Sequence, residues 1–504
     1  MTRGSLMVCG TASDAGKTVV VTGLCRWLAR QGHRVAPFKA QNMALNSYVT
    51  GEGGEIGRAQ ASQAMAAGVE PEVAMNPILL KPTGESECQV VVMGRPTEVV
   101  DALTYQSAKL QYLGTVLEAF DSLRARFDVV VCEGAGSPAE INLSAHDIVN
   151  LGFAAERDIP AILIGDIERG GVFAAFYGTV VLQPPERRPL LRGLVINKFR
   201  GDPSLLVPGI EQIEKLCGVG YLGTIPHSEG LGLDAEDSLQ LLRWGRESPA
   251  SRANGEVLDI AVIGLPHISN FTDFDPLAAE PNVAVRLTVH ANELGTPDLV
   301  IVPGTKATVA DLEWMRSTGM LEALRSAHRE GSIVLGICGG FQMLGRTIED
   351  PVESAAGDVE GIGMLDVHTV FEQEKITVRR KGNAARWCLG SPPISGYEIH
   401  HGRTKVGSSC LSFALLDGAN GTEEEEGAVA VNRRAIGTSL HGLFEEDDFR
   451  AAFLFAVAEV RRKCFHASGV SFRALRNAQF DRCANLVADH LDTGRIMQII
   501  ESER

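Results

Sequence analysis

Two short segments of the chain combine residue types that can do chemistry. The first, residues 10–18, reads GTASDAGKT and follows the apolar run SLMVC. Backbone N–H groups of a glycine-rich turn and the positive end of a helix dipole bind phosphate, and a lysine with a hydroxyl completes such a site. The segment predicts a phosphate cradle in which Lys17 contacts terminal phosphates and Thr18 ligates magnesium. Gly10 and Gly16 are one residue further apart than in the standard loop, so a simple glycine-rich turn is the alternative.

The second segment places a cysteine at a sharp turn. In SIVLGICGGFQMLG, Cys338 stands between an apolar strand pattern and a Gly-Gly pair that leads into a helix. Such a turn exposes the side chain and sets backbone N–H groups and a helix dipole beside it, which lowers the pKa of a thiol. Cys338 is therefore predicted to be a thiolate nucleophile, with a buried, inert thiol as the alternative.

Both segments need strands to hold them, and the first half of the chain contains a series of strand patterns. Short apolar runs alternate with helix-length stretches, and one helix is expected from about residue 17 to residue 31. Continuous apolar runs are typical of strands covered on both faces in a parallel sheet. The runs are SLMVCG, HRVAPFKA, DVVVCEG, IPAILIGDI and RGLVINKF. They predict a doubly wound α/β domain.

A second series of strand patterns follows the polar stretch RESPASRANGE, which is typical of a linker. This series predicts a separate α/β domain, with a helix over about residues 308–329. The acidic run at residues 423–426 is expected to be a solvated loop, because like charges repel. The predicted organisation is an N-terminal domain at 1–245, the linker at 246–256, a second domain at 257–448 and a helical extension at 449–504.

The overall composition narrows the class of partner. The chain has 504 residues and a formal net charge of −16. Nucleic acid is not expected as a partner, because binding to a phosphate backbone depends on clustered lysine and arginine. No apolar stretch is long enough to span a bilayer and no signal peptide is evident, so a cytoplasmic protein without a membrane partner is expected. The ten cysteines include no C-x-x-C pair, so neither a zinc ribbon nor a disulfide scaffold is indicated.

The phosphate cradle resembles the loop of the dethiobiotin synthetase-like family, G-T-x-S/T-x-x-G-K-T, whose members use ATP to phosphorylate a carboxylate. The resemblance also implies that Lys39 in PFKAQNMALNSY lies at the nucleotide, that Glu133 in VVVCEGAGSPAE binds Mg²⁺ and that Asn197 in VINKF lies at the adenine edge. A carboxylate that ends a strand beside a P-loop is independently suited to hold magnesium. Glu55 is a further candidate metal ligand, and purely structural roles for Glu133 and Asn197 stay open. The implied nucleotide contacts in the loop are Gly10, Thr11, Ser13, Gly16, Lys17 and Thr18.

The cysteine segment resembles the G-x-C-x-G-x-Q motif of class I glutamine amidotransferases, with Gln342 at its last position as a glutamine-binding residue. VPGTK at 302–306 matches the oxyanion-hole turn of that family, which implies that the N–H groups of Gly304 and Gly339 stabilise a tetrahedral oxyanion. His441 in GTSLHGLF matches the general base. The resemblance implies that the cysteine attacks the glutamine amide, the histidine protonates the departing ammonia, and water hydrolyses the thioester.

One position departs from the class I pattern. Most members carry a glutamate two residues after the histidine to orient it, and here that position is Leu443. The cobyrinic acid amidases show the same departure, which implies that Cys338 and His441 act as a pair. Glu398 in SGYEIHHGRT is a further candidate for orienting the imidazole, and a purely structural role of that segment is the alternative.

Motifs spread from about residue 5 to residue 445 together resemble the cobyrinic acid amidase family; they are PFKAQNMALNSYVT, MNPILLKP, EGAGSPAEINL, DIERGGVFA, VINKFRGD, LPHISNFTDFDPL and SGYEIHHGRT. The resemblance implies glutamine, ATP and a corrinoid as substrates. It also implies amidation of the b, d, e and g carboxylates of adenosylcobyrinic acid a,c-diamide through an acyl phosphate. It does not imply an oligomeric state.

Three alternatives accompany this reading. Two are related enzymes: the one that amidates the a and c carboxylates first, and a lipid II amidase. The third belongs to another class, a regulatory protein that senses glutamine and nucleotide. The presence of Lys17, Glu133 and Cys338 disfavours a sensor, since binding alone needs no nucleophile.

Overall fold

The computed structural model describes residues 3–83, 87–228, 230–231 and 257–502. The linker expected at 246–256 lies outside these described residues. The chain forms two units, and both are discontinuous in sequence. The first unit comprises Met1–Ala44, Gly54–Asp234 and Leu475–Arg504, and the second unit comprises Leu45–Gly53 and Ala235–Ala474.

The strands and helices follow one another in the alternating order of an α/β protein. Among the described residues, no helix has the length and apolar character required to cross a membrane. The β-strands are β1 Gly4–Gly10, β2 Val35–Phe38, β3 Gln41–Met43, β4 Ser47–Val49, β5 Glu55–Gly57, β6 Ile78–Pro82, β7 Glu87–Val92, β8 Arg95–Asp101, β9 Val129–Glu133, β10 Ala161–Asp166, β11 Leu191–Phe199, β12 Gly220–Pro226, β13 Leu258–Ile263, β14 Val283–Thr288, β15 Leu299–Val302, β16 Ile333–Ile337, β17 Thr347–Asp350, β18 Gly357–Glu360, β19 Val367–Ala384, β20 Pro393–Val406, β21 Cys410–Leu411, β22 Ala414–Asp417, β23 Glu423–Glu426, β24 Ala428–Ala430 and β25 Ala435–Thr438. The α-helices are α1 Lys17–Arg30, α2 Arg58–Ala67, α3 Ala102–Ala108, α4 Leu113–Arg126, α5 Leu151–Ala155, α6 Val172–Val181, α7 Val207–Cys217, α8 Asp275–Ala278, α9 Ala291–Leu294, α10 Thr308–Ser317, α11 Met320–Arg329, α12 Gly339–Leu344, α13 Asp447–Arg461, α14 Phe472–His490 and α15 Thr493–Glu501.

Six parallel strands form the central sheet of the first unit, in the order β12-β11-β10-β1-β9-β2. β1 and β9 are buried along their whole length, as expected for strands covered by helices on both faces. β1 lies between β9 and β10. The loop that follows β1 therefore opens at the middle of the carboxyl edge, where doubly wound sheets bind their ligands.

The last helix of the chain completes the core of the first unit. Ile496 and Ile500 of α15 are fully buried and pack with residues of β1 and α1. The Asp492 N–H donates to the Leu222 carbonyl at 2.7 Å, which ties the start of this helix to β12. The segment expected as one helical extension is therefore divided, with α13 in the second unit and α15 in the first.

The second unit is built on a seven-stranded sheet in the order β14-β13-β15-β16-β25-β24-β21. The first five of these strands run parallel, and β24 and β21 add antiparallel pairs at one edge. β16 lies between β15 and β25. The loops that follow these three strands therefore meet at one edge of the sheet. A second sheet joins β18-β17-β19-β22-β23, with β20 paired to β19.

The predicted α/β fold class is confirmed in both units, but two local expectations were wrong. The helix expected over 308–329 is interrupted at Gly319, whose φ of 77° separates α10 from α11. The acidic run at 423–426 forms β23, and Glu426 is buried. The Glu426 carboxylate accepts hydrogen bonds from the Thr438 hydroxyl at 2.9 Å and the Ser439 N–H at 2.6 Å. Burial raises its pKa to about 8.

Replacing Ile496 by alanine tests the place of α15 in the first unit. The lost side chain leaves a cavity against β1, so the free energy of unfolding of this unit should fall by about 2–5 kcal/mol. Hydrogen exchange of the β1 amide groups in increasing urea measures this quantity. Gln498→Ala, at an exposed position of the same helix, is the control and should change it by less than about 0.5 kcal/mol. Equal protection of the β1 amide groups in both variants would show that α15 does not stabilise that core.

Candidate active sites

The loop between β1 and α1 has the form of a phosphate cradle. α1 begins at Lys17, and its N-cap residue Gly16 has a φ of 95°, a left-handed conformation that favours glycine. A Cβ on Gly16 would also collide with the side-chain amide of Asn197. Lys17 Nζ lies within the loop and donates to the carbonyls of Ala12 at 3.1 Å and Gly136 at 3.0 Å. The ammonium group and the helix N-terminus are thus held at the same place, as phosphate binding requires.

A buried carboxylate lies next to this loop. Glu133, the last residue of β9, accepts hydrogen bonds from the Thr18 hydroxyl at 3.0 Å and the Gln63 side-chain amide at 2.5 Å. Lys39 Nζ forms an ion pair with the same carboxylate at 3.0 Å. Burial alone would raise the pKa of Glu133, but the Lys39 ammonium and the Gln63 amide outweigh burial and hold this pKa below its ordinary value. An ionised carboxylate beside a P-loop hydroxyl suits the oxygen preference of Mg²⁺.

Other loop residues predicted at the nucleotide surround this centre. Gly10 ends β1, and a Cβ on it would collide with the Lys17 side chain. The Thr11 N–H donates to the Ile164 carbonyl at 2.9 Å, which ties the start of the loop to β10. Ser13 is exposed on the loop. Their contacts with a nucleotide stay predictions.

Two further predicted residues are held by neighbours within the first unit. Asn197 Nδ2 donates to the Ala15 carbonyl at 2.8 Å, so this side chain braces the phosphate loop. Glu55 is fully buried and forms an ion pair with Lys81 at 2.5 Å. The adenine contact of Asn197 and the metal contact of Glu55 stay predictions.

Cys338 occupies the sharp turn between β16 and α12. Its φ of 49° and ψ of −108° are rare for a residue with a side chain. Glycines on both sides make this turn possible, because a Cβ on Gly340 would collide with the Val302 carbonyl and one on Gly336 would collide with the α12 backbone. The Cys338 N–H donates to the Thr438 carbonyl at 2.8 Å, which fixes the turn to β25. The thiol is therefore held at the carboxyl edge of the sheet.

His441 lies beside this thiol and has a carboxylate partner. The Cys338 thiol lies close enough to the imidazole to raise its pKa, and Cys338 Sγ lies 4.0 Å from the Ile399 carbonyl oxygen. His441 Nδ1 lies 2.7 Å from Asp273 Oδ2, and Asp273 Oδ1 accepts the Gly442 N–H at 2.8 Å. Burial alone would lower the pKa of His441, but Asp273 and Cys338 together raise it to about 10. The imidazole therefore holds a proton at neutral pH, beside the cysteine turn.

The loop after β15 lies against the cysteine turn. The Gly304 carbonyl accepts the Ser269 N–H at 2.8 Å. A Cβ on Gly304 would collide with the His441 ring, and a Cβ on Gly339 would collide with Thr305. Both glycines thus approach the centre more closely than any larger residue could. This closeness fits an oxyanion hole formed by their two N–H groups, which stays a prediction.

Two other residues singled out in the sequence lie nearby in different roles. Gln342 on α12 is buried, with its Oε1 3.5 Å from the Thr308 hydroxyl, and its contact with substrate glutamine stays a prediction. Glu398 accepts a hydrogen bond from Arg380 Nε at 2.9 Å. Because Asp273 occupies the Nδ1 side of the imidazole, the expectation that Glu398 orients the ring was wrong.

Asp273 could not be recognised from the sequence around the histidine, since it precedes His441 by 168 positions. It lies in the 3-10 turn Phe271–Phe274, which follows β13. The available signal was the stretch NFTDFDP, because a carboxylate among aromatic residues needs a buried partner. This stretch indicates that Asp273 has a buried partner, but it does not indicate which residue the partner is.

A P-loop domain combined with a Cys-His-Asp centre on an α/β sheet defines a class of protein, the glutamine-dependent enzymes with a nucleotide-binding domain. Family models agree with this class in both halves of the chain. Residues 6–241 match the CobQ/CobB/MinD/ParA nucleotide binding domain, and residues 259–449 match the CobB/CobQ-like glutamine amidotransferase domain.

Curated relatives extend the likeness over nearly the whole chain. A cobyric acid synthase of Frankia casuarinae is 50% identical, covering 99% of this chain and 96% of its own length. A cobyric acid synthase of Streptomyces avermitilis is 50% identical, covering 99% of this chain and 97% of its own length. One of Yersinia enterocolitica is 45% identical, covering 99% of this chain and 98% of its own length. The chain belongs to the cobyric acid synthase family of glutamine-hydrolysing ligases.

Asp273→Asn tests the carboxylate beside His441. The change keeps the size of the side chain and removes the charge that raises the pKa of His441, so this pKa should fall. The imidazolium would then lose its proton at a lower pH, and kcat/KM for glutamine hydrolysis should fall by about 100-fold or more. Glutamate release and the pH dependence of Cys338 alkylation measure the two effects. Glu398→Gln is the matched control, and an alkylation profile shared by both variants and the parent would contradict the role of Asp273.

Proposed function

We propose that this enzyme uses ATP and glutamine to amidate the b, d, e and g carboxylates of adenosylcobyrinic acid a,c-diamide, giving adenosylcobyric acid. The observation that carries the proposal is the presence, in one chain, of an Asp273–His441 pair beside Cys338 and of an ionised Glu133 beside a P-loop. The likeness to enzymes named cobyric acid synthase supports the corrinoid substrate. One glutamine and one ATP are consumed for each amide.

Nitrogen release takes place at Cys338 in this proposal. The thiolate attacks the side-chain amide carbon of glutamine, and the N–H groups of Gly304 and Gly339 stabilise the negative oxygen of the tetrahedral intermediate. His441 protonates the departing nitrogen, so ammonia leaves and a thioester remains. The neutral imidazole then accepts a proton from water, which attacks the thioester and releases glutamate. Asp273 holds the imidazole in one orientation through both steps.

Carboxylate activation takes place at the phosphate loop. Lys17 and the N-terminus of α1 bind the terminal phosphates of ATP, and Lys39 adds a second positive charge at the same site. Thr18 and Glu133 would hold Mg²⁺, which supplies charge neutralisation and orientation of the phosphates. A carboxylate oxygen of the corrinoid attacks the γ-phosphorus, and ADP leaves.

The two products combine in the last step. Ammonia attacks the carbonyl carbon of the acyl phosphate, the carbon–oxygen bond to phosphate breaks, and loss of a proton leaves the primary amide. Only unprotonated ammonia has the lone pair for this attack, so it must reach the acyl phosphate without equilibrating with bulk water.

Mass spectrometry of the corrinoid tests the substrate. Incubation of adenosylcobyrinic acid a,c-diamide with enzyme, Mg²⁺, ATP and glutamine should give four successive carboxylate-to-amide mass changes. Cobyrinic acid without the a and c amides is the comparison substrate. Two additions to that comparison substrate, with none to the diamide, would assign the enzyme to the earlier amidation instead. Glutamine hydrolysis without any amide product would favour a sensor.

Paired variants test the division of labour. Cys338→Ala should abolish glutamine-dependent synthesis and leave ammonia-dependent synthesis near the parental rate, because only nitrogen release needs the thiol. Lys17→Ala should stop synthesis from both nitrogen sources, because no acyl phosphate forms. Amide formation with glutamine and with ammonium chloride measures both effects. Equal loss from both sources in Cys338→Ala, or retained synthesis in Lys17→Ala, would contradict this assignment.

A further inference from the structure

Two loops of the second unit lie side by side next to the cysteine turn. One follows β15 and contains Gly304, and the other follows β13 and leads to the turn that carries Asp273. The Ser269 N–H donates to the Gly304 carbonyl at 2.8 Å, and the Lys306 N–H donates to the His267 carbonyl at 3.1 Å. The two loops are thereby paired like short antiparallel strands. The position of one loop therefore constrains the position of the other.

A buried carboxylate binds both loops at the same point. Asp311, in the first turn of α10, is fully buried. Its Oδ2 accepts the Thr305 hydroxyl at 2.5 Å from one loop and the His267 N–H at 3.2 Å from the other. Its Oδ1 lies 2.7 Å from His267 Nδ1. Asp311 therefore holds the two loops together through three polar contacts.

The surroundings of Asp311 compensate a negative charge. Burial of a carboxylate is costly unless hydrogen bonds and an opposite charge accompany it. The hydrogen bond to Asp311 raises the pKa of His267 above its ordinary value, which favours an imidazolium beside the carboxylate. The N-terminus of α10 also favours an anion in its first turn. An apolar side chain would fill this position at a lower desolvation cost, so packing alone does not account for a carboxylate here.

The Thr305 side chain connects this carboxylate to the cysteine turn. Its hydroxyl donates to Asp311 and accepts the Ala307 N–H at 3.0 Å, so its orientation is fixed. Its methyl group lies against Gly339, because a Cβ on that glycine would come within 2.7 Å of Thr305 Cγ2 and 3.2 Å of the Thr305 backbone nitrogen. Gly304 directly precedes Thr305 in the loop. Asp311 thus constrains, through Thr305, how the backbone at Gly304 approaches the cysteine turn.

We propose that Asp311 is a positioning residue for glutamine hydrolysis, which holds the Gly304 N–H where the negative oxygen of the tetrahedral intermediate forms. This inference rests on the function proposed above. An oxyanion hole needs donors that are fixed before the reaction, because a displacement of about 1 Å at a reacting centre costs about 100-fold in rate. Hydrogen bonds to one buried carboxylate have defined distances and angles, and they supply that rigidity.

Thr305→Val and Thr305→Ser form a matched pair that tests the proposal in the full-length enzyme. The valine keeps a methyl group against Gly339 and loses the hydrogen bond to Asp311, whereas the serine keeps the hydroxyl. In Thr305→Val the kcat for glutamate release should fall by about 10- to 100-fold with little change in the KM for glutamine, because the oxyanion forms only after glutamine has bound. Thr305→Ser should stay close to the parent.

Asp311→Asn tests the carboxylate itself. The change removes the charge beside His267 and weakens the bond to Thr305, so kcat should fall in the same direction as in Thr305→Val. Glu313→Gln removes a charge from an exposed position of the same helix and is the matched control, which should keep the parental kcat. Amide synthesis from ammonium chloride should stay near the parental rate in every variant, because it does not use Cys338.

A glutamine analogue with an aldehyde in place of the amide distinguishes a displaced oxyanion hole from a damaged nucleophile. The thiol adds across the carbonyl group, so sulfur bonds to carbon and the proton passes to the oxygen, which lies where the oxyanion would form. The affinity for this analogue should fall in Thr305→Val and Asp311→Asn by a factor similar to the fall in kcat. The rate of Cys338 alkylation by iodoacetamide should stay at the parental value.

The proposal is overturned if Thr305→Val and Asp311→Asn keep the parental kcat and analogue affinity, or if Thr305→Ser loses as much kcat as Thr305→Val. It is also overturned if the variants lose iodoacetamide reactivity or ammonia-dependent synthesis in proportion to kcat, because that result would mean general damage. Failure of the proposed function has a different signature, since the parent would then make no amide from either nitrogen source.

Discussion

The second unit depends on keeping one protonated imidazole buried between a thiol and a carboxylate. Removing charge from water is costly, and a buried charge persists only with a partner of opposite sign and satisfied hydrogen bonds. Asp273 supplies the partner for His441, and the Gly442 N–H satisfies its second oxygen. The strained Cys338 turn then presents the thiol to this imidazole. The loops after β15, β16 and β25, together with the turn after β13, are arranged around that requirement.

The first unit also keeps a buried charge at its centre, and this charge is negative. Glu133 is a buried carboxylate that Lys39 and Gln63 keep ionised, and the Thr18 hydroxyl also donates to it. The Lys17 ammonium donates to two backbone carbonyls, and the Lys39 ammonium pairs with Glu133. A site prepared in this way changes little when ligands bind, which is the basis of electrostatic preorganisation.

Local motifs predicted most of the two sites because their chemistry is local. A P-loop consists of consecutive residues, and the cysteine turn is specified by the glycines next to it, so Lys17, Thr18 and Cys338 could be read directly. Asp273 and Gln63 could not, because each reaches its partner from a distant part of the chain. Glu398 was a candidate partner for His441, yet Arg380 binds it instead.

The sequence by itself determined the alternation of strands and helices, the two α/β halves and the sharp turn at Cys338, since apolar periodicity and glycine-rich turns act over a few residues. Tertiary structure alone decided which carboxylate orients His441 and which unit receives each terminal or crossing segment. It placed α15 in the core of the first unit and Leu45–Gly53 in the second. These placements depend on which buried polar or apolar surfaces fit together in three dimensions. Such a fit between distant segments cannot be predicted from their positions along the chain.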